Sequence, residues 1–198
     1  MELEQHDSVH AVEDALARIS HPQPVRGSSS VNEASRQTLI EMLPPVLVIH
    51  LKRFLSDPAA GGMAKIGKPI QFTPELQIPL GMFPPFSPPG QPMLRIPGGF
   101  VGPDITVPIA RQSKQPTHYT LYGVLYHHGV SANEGHYTID VLHPNGNNAS
   151  REGWLHINDE IVSTVRHEDV FGTYDEGRAD DRCPYMLFYC RKALKGTL

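Results

Sequence analysis

The sequence predicts an α+β domain, in which a sheet from the C-terminal half of the chain is combined with a helix near the N-terminus. After Thr117, runs rich in Val, Ile, Tyr and Phe are separated by segments rich in Gly and Asn, a texture typical of strands and turns. Residues 8–20 instead place apolar side chains at helical spacing. The chain has 198 residues, of which 39% are hydrophobic, and this is enough to bury a single core.

The helix is predicted within "SVHAVEDALARIS", where apolar residues recur every three or four positions: Val9, Val12, Leu16 and Ile19. Ser8 is the expected N-cap, because a serine hydroxyl can accept from the free backbone N–H groups of the first turn. The following "HPQP" ends the helix. The Ser-rich "RGSSSVNEAS" then predicts a flexible connection, so we expect residues 1–30 to be a helix followed by a linker.

The next element is a strand over residues 46–52, predicted from "LPPVLVIHLKRF" because the run is short, rich in Val and Ile and preceded by Pro-Pro. Residues 56–116 differ in texture, and the dense Pro and Gly between Pro79 and Pro103 exclude a helix or central strand there. We expect a mobile surface insertion over about 56–116, with short strand pieces in "KIGKPIQFTPELQIPL".

Four further strands are predicted in the C-terminal half, from "HYTLYGVLYHHG", "GHYTIDVLH", "GWLHINDEIVSTV" and "PYMLFYCRK". The last of these is apolar on both alternating faces. We therefore expect it to lie centrally in the sheet and to be covered on both sides, with helices providing the cover.

Composition narrows the classes of function. The net charge is −4, the pI is near 6.2 and no Lys/Arg-rich run occurs, so neither nucleic acid nor an anionic membrane surface is favoured as a partner. The N-terminus lacks the basic and apolar segments of a secretion signal, and no apolar run approaches the roughly 18 residues needed to cross a bilayer. We expect the chain in the cytoplasm, the nucleus or both.

His136 is the first candidate for chemistry. Alternation in "GHYTIDV" places His136, Thr138 and Asp140 on one face of a strand and the intervening residues on the other. Taken alone, a histidine at a strand edge is more simply explained as structural. Gly135, just before it, favours the interpretation of His136 as a catalytic base. A residue without Cβ allows an extended peptide to pass close to the imidazole.

A partner for that imidazole is predicted at the end of "GWLHIND". Asn158 and Asp159 follow an alternating run, where side chains emerge from the sheet edge, and either type can hold an imidazole in the orientation that a base requires. Contact with His136 is geometrically easy because the two strands are consecutive. Ordinary turn chemistry for Asn-Asp remains the alternative.

The histidines and cysteines are also candidates for a metal site and for a nucleophile. His127 and His128 are adjacent, so their side chains point to opposite faces and do not readily share an ion. Of the two cysteines, Cys190 closes an apolar strand, where we expect it to be buried and inert, and Cys183 follows acidic residues that disfavour a thiolate. Neither looks activated, and no CxxC pair indicates structural zinc.

Together, "LPPVLVIHLKRF", "YGVLYHHGVSANEGHYTIDV", "GWLHINDEIVSTV" and "PYMLFYCR" resemble, in the same order, the C-terminal half of the catalytic domain of ubiquitin-specific proteases, the ubiquitin carboxyl-terminal hydrolases. The resemblance covers residues 8–55 and 117–192. It implies a papain-like cysteine protease fold, mainly its antiparallel β palm half, with residues 31–192 as a partial catalytic domain and 193–198 as a tail. "SVHAVEDALARIS" is also similar to members that work with a G3BP or Bre5 cofactor.

By this resemblance His136 is the general base and Asn158 the residue that orients it, with Asp159 able to share that work. Gly135 corresponds to the glycine beside the channel for the Gly-Gly tail of ubiquitin, Tyr137 completes the "GHY" motif, and Trp154 is the aromatic residue that supports the strand. Ubiquitin and ubiquitinated proteins are the implied partners, and no small-molecule cofactor is implied.

The sequence departs from the family pattern in three respects, the first of which bears directly on activity. The family's cysteine box, its thumb helices and its zinc-binding fingers have no counterpart in these 198 residues. The expectation is therefore a thiol-dependent deubiquitinase segment that is inactive alone. The alternative is a ubiquitin-binding or scaffold module without catalysis.

Overall fold

The structure, a computed structural model, describes most of the predicted strands and helices. The described residues are 1–24, 35–36, 39–40, 42–57, 62–78, 82, 116–129, 135–143, 153–171 and 182–192. The strands are β1 (Glu2–Glu4), β2 (Gln23–Pro24), β3 (Ser35–Arg36), β4 (Val46–Lys52), β5 (Phe54–Asp57), β6 (Gly62–Lys65), β7 (Glu75–Ile78), β8 (Thr117–His128), β9 (His136–His143), β10 (Gly153–Asn158), β11 (Ile161–Val165) and β12 (Cys183–Arg191). The helices are α1 (Val12–Ser20) and α2 (His167–Phe171).

Within the described ranges, the main sheet has eight strands in the order β1-β4-β12-β8-β9-β10-β11, and β7 pairs with the N-terminal half of β8. Its pairs are antiparallel except for β1 with β4. The strand predicted over residues 46–52 has those bounds, and β12 lies between β4 and β8, so its predicted central place is confirmed.

The cover over β12 is less complete than predicted. Leu187 and Tyr189 are fully buried, whereas Tyr185 and Phe188 are only half-buried. One face of the strand therefore packs on the core and the other is partly open in the described part of the chain. An antiparallel sheet tolerates this arrangement because its backbone groups are satisfied whether or not both faces are covered.

Helix α1 begins later than predicted, and Ser8 is not its N-cap. The N-cap is Ala11, and the carboxylate of Asp14 accepts from the backbone N–H of Ala11 at 2.9 Å. Ala11 also forms a bridge with Gln71, whose carbonyl accepts from the N–H of Val12 at 3.0 Å. This bridge holds Ala11 in an extended conformation, which is why the helix starts at Val12.

The run "GWLHINDEIVSTV" forms two strands rather than one. β10 and β11 pair antiparallel, with Asn158 opposite Ile161 and a turn at Asp159 and Glu160 between them. Asp159 has a φ of 52°, in the left-handed region that Asp tolerates better than most residues. The hairpin thus places Asn158 at a defined corner.

Part of the segment predicted as an insertion belongs to the sheet and core. β7 pairs with β8, and the side chains of Ile70, Phe72 and Leu76 are buried in the core. The Pro-rich part over 83–115 lies outside the described residues, as does the predicted tail over 193–198. No helix in the described part of the chain is long and apolar enough to cross a membrane.

Candidate active site

The structure brings His136 and Asn158 together at one end of the sheet. His136 is the first residue of β9 and Asn158 is the last residue of β10. Because β9 and β10 are antiparallel neighbours, the start of one lies beside the end of the other. The Nε2 atom of His136 lies 2.6 Å from Oδ1 of Asn158, a short hydrogen bond.

This contact assigns different roles to the two ring nitrogens. An amide oxygen only accepts, so Nε2 of His136 carries the proton and donates it to Asn158. In a neutral imidazole Nδ1 is then the atom with the free lone pair, and it has no hydrogen-bond partner among the described residues. The side chain is 44% exposed. The arrangement therefore provides a base whose accepting nitrogen is accessible.

The orientation of the imidazole gives a spectroscopic prediction. We expect His136 to populate the tautomer protonated at Nε2, and the Asn158→Ala variant to lose this preference because the acceptor is removed. Long-range ¹H–¹⁵N correlation of the imidazole rings measures the tautomer of each histidine directly. His143, at the other end of β9, is the internal reference, since nothing described there should respond to Asn158. A predominantly Nδ1-protonated His136 contradicts the assignment.

Asp159 lies near the same ring but in a weaker position. Its Oδ2 is 3.9 Å from Nε2 of His136, and its side chain is 78% exposed. At this distance, and in water, the carboxylate attracts a protonated imidazole only weakly and does not hold its orientation. Asn158 is therefore the residue in a position to orient His136, and Asp159 contributes long-range charge.

Gly135 has a packing reason to lack a side chain. A Cβ built on Gly135 would lie 2.1 Å from Nε2 of His127 and 2.7 Å from the backbone oxygen of His128. The His127 ring thus occupies the space that any other residue at position 135 would need. The predicted role beside a substrate channel stays a prediction, and the contact that the structure shows is internal.

His127 is buried, and its ring fills the space next to Gly135. Only 1% of it is exposed, and its ring makes edge contacts with Phe54 and Tyr137 at centroid distances of 5.2 and 5.0 Å. Burial lowers the pKa of the His127 imidazole, and the positive charge of Lys65 lowers it further. The His127 ring therefore acts by its shape, filling the space beside Gly135 at the start of β9.

The remaining predicted residues lie on either side of the sheet. Tyr137 is 46% exposed, on the face opposite to His136, and its ring is 5.8 Å from that of Tyr185. Trp154 is 5% exposed and contacts Phe171 of α2 edge-on at 5.6 Å. Trp154 therefore ties β10 to α2, at the end of β10 away from Asn158.

The two adjacent histidines of β8 face opposite sides, as predicted. His128 contacts Thr138 at 2.8 Å, whereas His127 contacts Tyr137 on the other face. No group of three or more His, Cys, Asp or Glu side chains in the described ranges is placed to hold a metal ion.

Neither cysteine lies next to His136. Cys183 is opposite His127 in the β12–β8 register, and residues directly opposite point to the same face, so Cys183 is on the Tyr137 side of the sheet. Cys190 is at the other end of β12, opposite Thr120. It is exposed, so its predicted burial is wrong: alternation along β12 puts Cys190 on the face opposite to buried Tyr189, where its neighbour Val46 on β4 is exposed as well.

One polar cluster beside this site was not predicted. Asp140 is fully buried and contacts His156 and Arg182. The alternation of "GHYTIDV" did place Asp140 on the face of His136, and the same reasoning places His156 with Asn158. Arg182 has no such signal, because it lies 42 positions from Asp140 and no periodicity relates the two residues.

Comparison with known sequences relates this chain to one protein family. The profile of the family "Ubiquitin carboxyl-terminal hydrolase" matches residues 4–189. The "Probable ubiquitin carboxyl-terminal hydrolase 3" of Schizosaccharomyces pombe is 36% identical over 201 residues, which are 96% of this chain and 33% of that protein. The "Ubiquitin carboxyl-terminal hydrolase 10" of Rattus norvegicus is 32% identical over 193 residues, covering 94% of this chain and 20% of that protein. The chain thus spans a third or less of the length of these curated relatives.

Solved structures show the same fold. The Ubp8-Sgf11-Sgf73-Sus1 SAGA DUB module matches with a TM-score of 0.64 at 23% identity, covering 97% of this chain and 33% of the matched chain. A SAGA DUB module bound to monoubiquitin matches with a TM-score of 0.65 at 23% identity, covering 98% of this chain and 35% of the matched chain. The predicted α+β, papain-like fold is confirmed. Since the family profile covers nearly all of the sequence, the chain belongs to the ubiquitin carboxyl-terminal hydrolase family.

Proposed function

We propose that this chain provides the His–Asn part of a thiol-dependent deubiquitinase, which hydrolyses peptide and isopeptide bonds at the C-terminal glycine of ubiquitin. The observation that carries the proposal is the 2.6 Å contact between Nε2 of His136 and Oδ1 of Asn158 at the corner formed by β9 and β10. Membership of the hydrolase family gives this pair its reaction class.

The reaction follows from the roles of the two ring nitrogens. Nδ1 of His136 takes the proton of a cysteine thiol, and the thiolate attacks the carbonyl carbon of the ubiquitin glycine. The imidazolium then gives that proton to the leaving amine, and a thioester to ubiquitin remains. Water, deprotonated by the same nitrogen, then attacks the thioester carbonyl and the C–S bond breaks. Ubiquitin leaves as a carboxylate, and the proton held by the imidazolium returns to the released thiolate. Asn158 keeps the ring in place throughout by accepting from Nε2.

We further propose that the thiol comes from outside these 198 residues, so that the chain alone is inactive. This rests on the positions of Cys183, on the opposite face of the sheet, and Cys190, at the far end of β12. The purified chain with a fluorogenic ubiquitin substrate is expected to give no turnover above buffer. Turnover that disappears in His136→Ala would overturn the proposal.

The same positions of the cysteines favour one other function, a ubiquitin-binding or scaffold module without catalysis. Titration of ¹⁵N-labelled chain with ubiquitin, read as shifts at β9 and β10, tests binding separately from turnover. Binding together with failure of the chain to act when joined to a family thiol segment favours the module. Activity of the joined protein favours the enzyme.

Asn158 and Asp159 are expected to differ strongly in their effects on such a joined protein. Asn158→Ala should lower kcat by about 10²-fold or more, because the base loses the acceptor that orients it. Asn158→Asp should retain most activity, since a carboxylate also accepts from Nε2. Asp159→Asn should change kcat only a few-fold, given its 3.9 Å distance and its exposure. Equal losses for Asn158→Ala and Asp159→Asn contradict these roles.

For partners and location, we propose ubiquitin and ubiquitinated proteins, a G3BP- or Bre5-like protein cofactor, and the cytoplasm or nucleus. The cofactor proposal is supported by the similarity of "SVHAVEDALARIS" and "SRQTLIEMLPPVLVIHLKRF" to the members that use one. Co-purification of the chain with tagged candidates of that type tests it. Nucleic acid is not among the proposed partners, because the pI near 6.2 provides no long-range attraction for a polyanion.

A further inference from the structure

A buried carboxylate lies behind the His136–Asn158 pair. Asp140 of β9 has no exposed surface, yet it carries an ionisable group on a face that includes buried Val124 and Tyr126. Its Oδ1 accepts from Nδ1 of His156 at 2.6 Å, and its Oδ2 accepts a short hydrogen bond from Nη2 of Arg182. Both carboxylate oxygens are therefore used, by donors from different parts of the chain.

Arg182 connects this carboxylate to further elements. Its side chain is 14% exposed, and its guanidinium lies 3.6 Å above the ring of Tyr126 on β8. Stacking of this kind adds a cation–π attraction to the ion pair. The Tyr126 hydroxyl in turn lies 3.5 Å from the carbonyl of Val170 in α2. A single cluster thus joins β8, β9, β10, α2 and the start of β12.

The cluster and the candidate active site share two strands. Asp140 and His156 are directly opposite in the β9–β10 register, and the same strands carry His136 and Asn158 at their adjoining ends. Between the two pairs, Thr138 receives a side-chain contact from His128 at 2.8 Å. Three successive residues of β9 on this face, His136, Thr138 and Asp140, thus each contact a polar side chain of a neighbouring strand.

We propose that Asp140 is a positioning residue for the His136–Asn158 pair, holding β9 and β10 in the register that brings Nε2 and Oδ1 together. A one-residue slip of β10 would move Asn158 to the other face and break the pair, because side chains alternate with period two. A slip would also separate Asp140 from His156 and leave a buried charge poorly paired, which is strongly disfavoured. The consequence for catalysis rests on the proposed function, whereas the effect of Asp140 on the register of β9 and β10 does not.

The test compares two cluster variants with a buried apolar control in the full 198-residue chain. Asp140→Asn and Arg182→Gln remove the carboxylate charge and its guanidinium partner, and Val124→Ala removes bulk at the residue directly opposite Asp140 on β8. The tautomer and ¹⁵N shifts of His136 report the pair, and thermal unfolding reports stability. We expect both cluster variants to lose the Nε2-protonated preference of His136. We expect Val124→Ala to lower the unfolding midpoint and leave the His136 spectrum unchanged.

Three results would overturn the proposal. The first is a wild-type His136 spectrum in both cluster variants, and the second is an equal change in Val124→Ala, which would mean that any loss of packing disturbs the pair. The third is complete unfolding of both cluster variants while Val124→Ala stays folded, which would make the cluster a stability device alone. The readout does not depend on turnover, so failure of the proposed enzymatic function leaves this result interpretable.

Discussion

His136→Ala is expected to lower turnover of a ubiquitin substrate by at least about 10³-fold in a protein that contains both this chain and a family thiol. A suitable protein is a chimera in which the chain replaces the matching segment of the Schizosaccharomyces pombe relative, to which it is 36% identical. The loss is large because the imidazole acts twice, as the base that forms the thiolate and as the acid that protonates the leaving amine. Single-turnover kinetics with a fluorogenic ubiquitin substrate measures it.

The matched control for this prediction is His143→Ala. His143 lies on the same strand as His136, is exposed, and is opposite Gly153 at the far end of the β9–β10 pair. Its removal should leave kcat within about twofold of the parent, since a surface substitution away from special contacts has little effect. A chimera that turns over normally without His136 would remove the base from the mechanism. An inactive parent chimera that still binds ubiquitin would favour the binding module instead.

The fold could be predicted where local pattern decides it. The bounds of β4 follow from a short apolar run after Pro-Pro, and the central place of β12 follows from apolar residues on both of its faces. β1 could not be predicted, because Glu2–Glu4 is too short for a periodic signal and its parallel pairing with β4 is a tertiary choice. The start of α1 was missed for the same kind of reason, since the bridge to Gln71 is non-local.

In the candidate site, too, contacts that follow from local pattern could be predicted and contacts between distant parts of the chain could not. The meeting of His136 and Asn158 could be predicted, because the ends of consecutive antiparallel strands adjoin. The contact of Arg182 with Asp140 could not, because the two residues are 42 positions apart and no periodicity relates them. The reason for Gly135 also escaped prediction. A glycine beside a histidine suggests access for a substrate, whereas the atoms that exclude a Cβ belong to His127 and His128, on the neighbouring strand.

Gly135→Ala is expected to destabilise the chain by about 1–3 kcal/mol or more, the usual cost of overpacking a filled site. For a chain of this size that corresponds to a fall of roughly 2–12 °C in the unfolding midpoint. The new methyl group would meet the His127 ring at 2.1 Å and the backbone oxygen of His128 at 2.7 Å. The ring can turn away only by disturbing its contacts with Phe54 and Tyr137, and a strand carbonyl cannot move without loss of pairing.

Two other glycines make this prediction a graded series measured by one thermal unfolding experiment. Gly67 has no heavy atom within 4 Å of an added Cβ, so Gly67→Ala should be neutral or stabilise the folded chain by up to about 1 kcal/mol. The gain arises because alanine lowers the conformational entropy of the unfolded chain. Gly123 would meet the ring of Phe188 at 3.4 Å, an ordinary contact, and should fall between the two. Since His136 follows Gly135 directly, the misfit should also weaken the Nε2 hydrogen bond to Asn158. A Gly135→Ala protein as stable as Gly67→Ala, with an unchanged His136 spectrum, would show that His127 does not fill this space in solution.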